Sequence, residues 1–141
     1  MRIVMDASEP GSAKPSISTE VQDGESSAPV ILQILPMLET GGVERGTVDI
    51  TAAIAKSGGI PLVVSGGGPL VREVERAGGE HISLPVHSKN PLVMRSNARA
   101  LEALIRGRRI DIVHARSRAP AWCARKASAR AGASFMTTFH G

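Results

Sequence analysis

The sequence predicts an α/β domain: a doubly wound, Rossmann-like parallel sheet of about five strands with helices on both faces. Three observations carry this expectation. Five short, mostly apolar runs (30–35, 60–65, 80–86, 110–115 and 134–139) are each too brief for a buried helix. Longer segments with helical spacing of apolar residues separate them. Glycine and proline punctuate most of the boundaries. Strands that are apolar along their length belong to a sheet covered on both sides. Right-handed crossovers then favour the strand order 3-2-1-4-5.

The first run, Val30 to Leu35, breaks at Pro36 and passes through Thr40-Gly41-Gly42. A helix is expected from Val43 to Lys56, with Val43, Thr47, Ile50 and Ile54 on its inner face and Thr40 as its cap. Gly58-Gly59 stops it. Ile60 to Ser65 is the second strand. Gly66-Gly67-Gly68-Pro69 leads into a short helix over Leu70 to Ala77, stopped by Gly78-Gly79. The glycine pairs mark helix ends; the residues between them do not repeat. Glu80 to Val86 is the third strand. The loop His87 to Pro91 precedes a helix over Leu92 to Arg106, striped by Met94, Ala98, Leu101 and Ile105. Ile110 to Ala115 is the fourth strand. Pro120 to Ala131 is a helix packed through Ala121, Ala124, Ala127 and Ala131, ended by Gly132, and Ser134 to Phe139 is the fifth strand.

Residues 1 to 28 differ from this body. They are rich in Ser, Pro, Glu and Gly, and five acidic side chains outweigh Arg2 and Lys14. Such a segment buries too little apolar surface to offset its ordering entropy, so it is expected to be disordered. It lacks the apolar core of a signal peptide, and no run approaches the length of a membrane-spanning helix. The chain as a whole carries +4, so its body is the more strongly basic part. A basic body suits anionic partners, or simply serves solubility. One Trp, two Phe and no Tyr leave few rings for stacking bases, which argues against nucleic acid; such a partner would show steeply salt-dependent binding. Cys123 is the only cysteine and reads as a packing residue.

In such sheets ligands bind beyond the C-terminal strand ends. The loops there hold Gly41 and Gly42, Ser65 to Gly68, Lys89, His114 to Arg118, and His140. A glycine loop entering a helix N-terminus offers unpaired N–H groups to a phosphorylated ligand, or is a plain turn with glycines chosen for geometry. Lys89, Arg116 and Arg118 could seat a diphosphate beside it, or be solvated loop cations. His140 could bond a sugar hydroxyl or move a proton. His114 has the same options, or is a strand-end ring bonded to backbone. His81 and His87 join no constellation. No spacing suggests a metal site. The G-x-G-x-x-G, P-loop and G-x-S-x-G patterns are absent.

The stretches ILQILPMLETGGVERGTVDI, VVSGGGPLVREVERAGGEHISLPV, DIVHARSRAPAW and TTFHG resemble the N-terminal half of family 4 glycosyltransferases with the GT-B fold. The resemblance spans 30 to 141. It implies a retaining transferase of hexosyl type that takes a nucleotide-sugar donor, without metal or other cofactor. The acceptor it implies is a cell-envelope glycan or lipid-linked molecule, as in lipopolysaccharide biosynthesis. It places the protein in the cytoplasm, peripherally against an anionic membrane through the basic region from Arg106 to Arg130. By position it makes Gly41 and Gly42 the donor diphosphate loop and His140 the histidine beside the transferred sugar. Lys89, His114, Arg116 and Ser117 fall on the acceptor side. The family's E-x₇-E pair and donor-binding C-terminal domain are missing, so 29–141 reads as an incomplete acceptor-side domain, inactive alone: a fragment, a truncated product or half of a split enzyme. The alternative is a non-catalytic α/β module that binds a phosphorylated ligand or a partner subunit.

Overall fold

The computed structural model describes residues 4–5, 17–18 and 28–138. The expected disorder of 1–28 falls almost entirely outside those residues. The described exceptions, Val4–Met5 and Ile17–Ser18, pair antiparallel as two-residue strands apart from the main sheet.

The body alternates strand and helix. The strands are β1 (Val30–Ile34), β2 (Ile60–Ser65), β3 (Glu80–Ser83), β4 (Ile112–Ala115) and β5 (Ser134–Thr137). The helices are α1 (Gly42–Lys56), α2 (Val71–Arg76), α3 (Pro91–Gly107) and α4 (Arg118–Ala131). All five strands are parallel and ordered β3-β2-β1-β4-β5, the order the sequence predicts.

Strand alternation divides the core in two. Leu32, Ile34, Leu62, Val64, Val113 and Ala115 face α3 and α4, meeting Ala98, Leu101, Ile105, Cys123, Ala124 and Ala127. Val63 faces the other way and packs with Leu35, Leu38, Val48, Leu70 and Val74 under α1 and α2. A fully buried Leu or Val side chain contributes about 1.5–3 kcal/mol, so the α3–α4 side holds most of the apolar stabilisation. Cys123 lies within that core, its thiol pushed up by burial.

The α1 side is partly polar, and this corrects the expected inner face of α1. Thr47, Val48 and Thr51 are buried, while Ile50 is 41% exposed. The cause lies in the strand beneath. Gln33 is fully buried and donates through Nε2 to Thr51 Oγ1 (3.1 Å) and to the Thr47 carbonyl (3.3 Å). The buried amide needs hydrogen-bond partners, and Thr supplies them where Ile cannot.

The helix ends follow one scheme. After α1, α2 and α4, Gly58, Gly78 and Gly132 adopt left-handed φ of 88°, 97° and 77°. The next amide then reaches back five residues, as in Gly59 N–H to the Ile54 carbonyl (2.9 Å). Helix α3 closes the same way, Ile110 N–H to Ile105 carbonyl (3.0 Å), but Arg109 holds the left-handed position at φ 51°. At the start of α1 the cap is Gly41, not Thr40, and no side chain bonds the free amides.

Candidate functional site

The strand order reverses between β1 and β4, and the loops after them part there. This opens a crevice of about 500 Å³ beyond the C-terminal edge of the sheet. One wall is the β1–α1 connection with Leu35, Pro36, Met37, Glu39, Val43 and Glu44; the other is Arg116, Ser117 and Arg118.

The first wall is pinned from below. Leu35 and Leu38 are buried in the α1–α2 core. Gly66 donates to the Pro36 carbonyl (2.8 Å), Leu38 to the Gly67 carbonyl (2.8 Å), and Leu70 to the Leu38 carbonyl (3.0 Å). The β1–α1 and β2–α2 loops thus form one hydrogen-bonded block. Gly68 sits against it at φ 139°, where a Cβ would strike the Leu38 carbonyl. Ser65 Oγ accepts from Gly67 N–H (3.0 Å) and lies 2.7 Å from His81 Nε2. Burial holds the His81 imidazole below its usual range, with Glu75 opposing.

The second wall is built around Arg116. The residue is 9% exposed, and its side chain donates through Nη1 to Gln33 Oε1 (3.3 Å). The guanidinium lies against α1 at Gly46, where a Cβ would come to 3.0 Å from Nη2. Its Nε is buried with no hydrogen-bond partner among the described residues. Burial lowers its pKa from the usual arginine value, though a guanidinium stays charged near neutrality. Ser117 caps α4 without bonding its amides, and no acidic residue occupies the first turn of that helix.

Two long helices therefore open onto the crevice, each with free N–H groups. They differ in charge. At α1, Glu44 occupies the third helical position and folds its carboxylate over Gly41, where a Cβ would overlap it. At α4, Arg116, Ser117 and Arg118 face the crevice without a first-turn acid. The α4 side is the better seat for an anion such as a phosphate.

The residues singled out from sequence distribute unevenly. Arg116, Ser117 and Arg118 meet at the crevice. Gly41 and Gly42 sit at the start of α1; their neighbours Glu39, Val43 and Glu44 form the lining, and a Cβ at Gly42 would meet nothing. Lys89 is exposed on the β3–α3 loop and does not reach the crevice. His114 is also absent from the lining. Its Nε2 lies 3.0 Å from Thr138 Oγ1, so its partner is a side chain rather than the backbone expected for a strand-end ring. Burial, and then Arg116, keep its pKa low. His140 lies outside the described residues. Sequence reasoning missed Gln33, Gly46 and the fold-back of Glu44. A lone amide inside the apolar run VILQIL was the available signal for the first.

Among the described residues no group of three or more His, Cys, Asp or Glu could hold a metal ion, and no helix is long and apolar enough to cross a membrane.

The family model described as Glycosyltransferase Family 4 matches residues 40–141. A solved glycosyltransferase from Rickettsia africae ESF-5 is 43% identical over 82% of this chain, with a TM-score of 0.74. The chain spans 30% of that protein's length. The C-terminal domain of a hydrogenase from Pyrococcus furiosus matches at 18% identity and a TM-score of 0.59, over 79% of this chain and 91% of that one. This second likeness is one of fold alone. No curated protein matches the chain.

Proposed function

Because the chain belongs to glycosyltransferase family 4, we propose that it forms the acceptor-side half of a retaining sugar transferase that uses a nucleotide-sugar donor. The observation that carries this reading is the Arg116 wall. A buried cation whose Nε has no partner among the described residues stands beside the start of α4, where the Ser117 cap bonds no amide, in the crevice where the strand order reverses. That arrangement suits a phosphate or diphosphate. Gly41 and Gly42 open the facing helix, and the Glu44 carboxylate must swing aside before a diphosphate can take its amides. Ser117 would meet the acceptor, and Arg116 would stand between the acceptor and the diphosphate. His140, after β5, is assigned to the transferred sugar.

One wall alone supplies few of the charges that an oxocarbenium-like transition state requires. The chain by itself should therefore bind ligand without turning it over. A donor-binding domain would complete the cleft, and a cell-envelope glycan or lipid-linked acceptor would enter from the Arg116 side. A cytoplasmic location fits a nucleotide-sugar donor.

Isothermal titration with uridine and guanosine diphosphates tests the anion seat. Binding should weaken on Arg116→Lys, which keeps the charge but loses the fork geometry. Sugar transfer from nucleotide sugars should be absent with the 141-residue chain and should appear when a family 4 donor-binding domain is joined to it. Transfer by the chain alone, or diphosphate binding indifferent to Arg116, would overturn the proposal.

A further inference from the structure

Gly46 lies inside α1. Unlike Gly58, Gly78 and Gly132, it has no left-handed φ, so the backbone there would accept any helix-forming residue. A glycine in a helix interior lowers stability relative to alanine, because more backbone freedom is lost on folding. Conformation therefore gives no reason for glycine at this position. Space does, and one atom defines it. Leaving out the chain neighbours and the helix's own backbone, a Cβ at Gly46 would have one heavy atom within 4 Å among the described residues: Arg116 Nη2, at 3.0 Å.

Arg116 has little freedom to give way. The residue is 9% exposed, its Nε is buried with no partner among the described residues, and its Nη1 bond to Gln33 Oε1 is already long at 3.3 Å. Gln33 is itself fully buried and tied through Nε2 to Thr51 Oγ1 and the Thr47 carbonyl. Gln33 thus holds the Nη1 side of the guanidinium, and Gly46 receives the Nη2 side. That leaves the Nε–Nη2 edge to donate a parallel pair of bonds to an oxyanion. A methyl group at position 46 needs roughly 3.5 Å from that edge, so the guanidinium would have to withdraw by about 0.5 Å from a seat whose one bond has no slack.

We propose that Gly46 is a positioning residue for the anion seat: its missing side chain makes the recess in α1 that docks the Arg116 fork at the crevice wall. Helix α1 gives up some stability of its own so that a cation from the start of α4 is presented at a fixed angle. The inference rests on the reading of Arg116 as the seat of a phosphate or diphosphate. It adds that ligand affinity is governed from α1, by a residue that is not among those lining the crevice.

Calorimetry with uridine diphosphate would compare the full chain with its Gly46→Ala and Gly46→Leu variants. Both replacements favour a helix over glycine, so circular dichroism should show both variants folded. Affinity should nonetheless fall roughly tenfold with alanine, the contribution of one hydrogen bond to a charged group, and further with leucine. In an Arg116→Lys background, Gly46→Ala should change affinity by less than about twofold, because the fork it positions is gone. An equal loss in both backgrounds would make Gly46 a packing residue and overturn the proposal. A ligand-free measurement separates the recess from the seat. The Arg116 Nε–H resonance, assigned by its loss in Arg116→Lys, should be protected from solvent exchange in the parent chain. It should shift and exchange faster in Gly46→Ala. An unchanged resonance in both Gly46 variants overturns the recess, as does binding that needs Arg116 yet tolerates both variants. Binding indifferent to Arg116 overturns the anion seat itself, whatever the resonance does.

Discussion

Replacing Gln33 with Leu should destabilise the protein far more than its volume change suggests. The Gln33 side chain is fully buried and joins three groups: Thr51 Oγ1, the Thr47 carbonyl and Arg116 Nη1. Leucine fills a similar space, so no large cavity forms. What is lost is the acceptor for a buried guanidinium whose Nε already lacks a partner among the described residues. A hydrogen bond to a charged group contributes about 1.5–3 kcal/mol, and the bond to Thr51 adds roughly 1 kcal/mol. Added apolar surface returns part of this, for a net loss of about 3 kcal/mol. In a domain of this size that lowers Tm by roughly 15 °C. Arg116→Met alone leaves the Gln33 carbonyl oxygen unmatched and should cost about 2 kcal/mol. The double variant removes charge and acceptor together and should lose about 2 kcal/mol rather than the additive total of about 5, a coupling of roughly 3 kcal/mol. Urea unfolding of the four proteins, followed by circular dichroism, measures the cycle. Additive losses, or a Gln33→Leu variant within about 0.5 kcal/mol of the parent, would refute the reasoning.

Arg109→Gly should raise stability by about 1 kcal/mol in the same assay, because the left-handed position after α3 then carries no Cβ. Stability should fall on mild acidification: burial holds His81 and His114 below the ordinary imidazole value of about 6.5. The unfolded chain then protonates first. The stability is complete above about pH 6.5 and is lost from there down through the folded values, and His114→Gln should flatten part of that slope in urea unfolding followed across pH. Glu44→Gln should tighten nucleoside diphosphate binding roughly threefold by calorimetry, since it removes a carboxylate from the start of α1. Unchanged affinity would mean the anion sits wholly on the α4 side.

The sheet order was legible because apolar run length and crossover handedness constrain it strongly. The inner face of α1 was not. Apolarity stood in for inwardness, and that fails where the surface beneath is an amide: Thr51 is buried and Ile50 is not. The same limit hid Arg116's position, which depends on Gln33 and on the missing Cβ of Gly46. Topology placed the crevice loops, but not their lateral distance. β3 is the edge strand, three places from β4, and Lys89 on the loop after it is not among the residues that line the crevice. His114 is at the right height but turns toward Thr138.

The leucines beneath the β1–α1 connection carry a thermodynamic consequence. A ligand arriving there meets a wall already held by Leu35, Leu38 and three backbone hydrogen bonds to the β2–α2 loop. Little disorder remains for it to remove on that side. Its heat-capacity change on association should then be accounted for by the surface the ligand itself covers, with no folding-like excess.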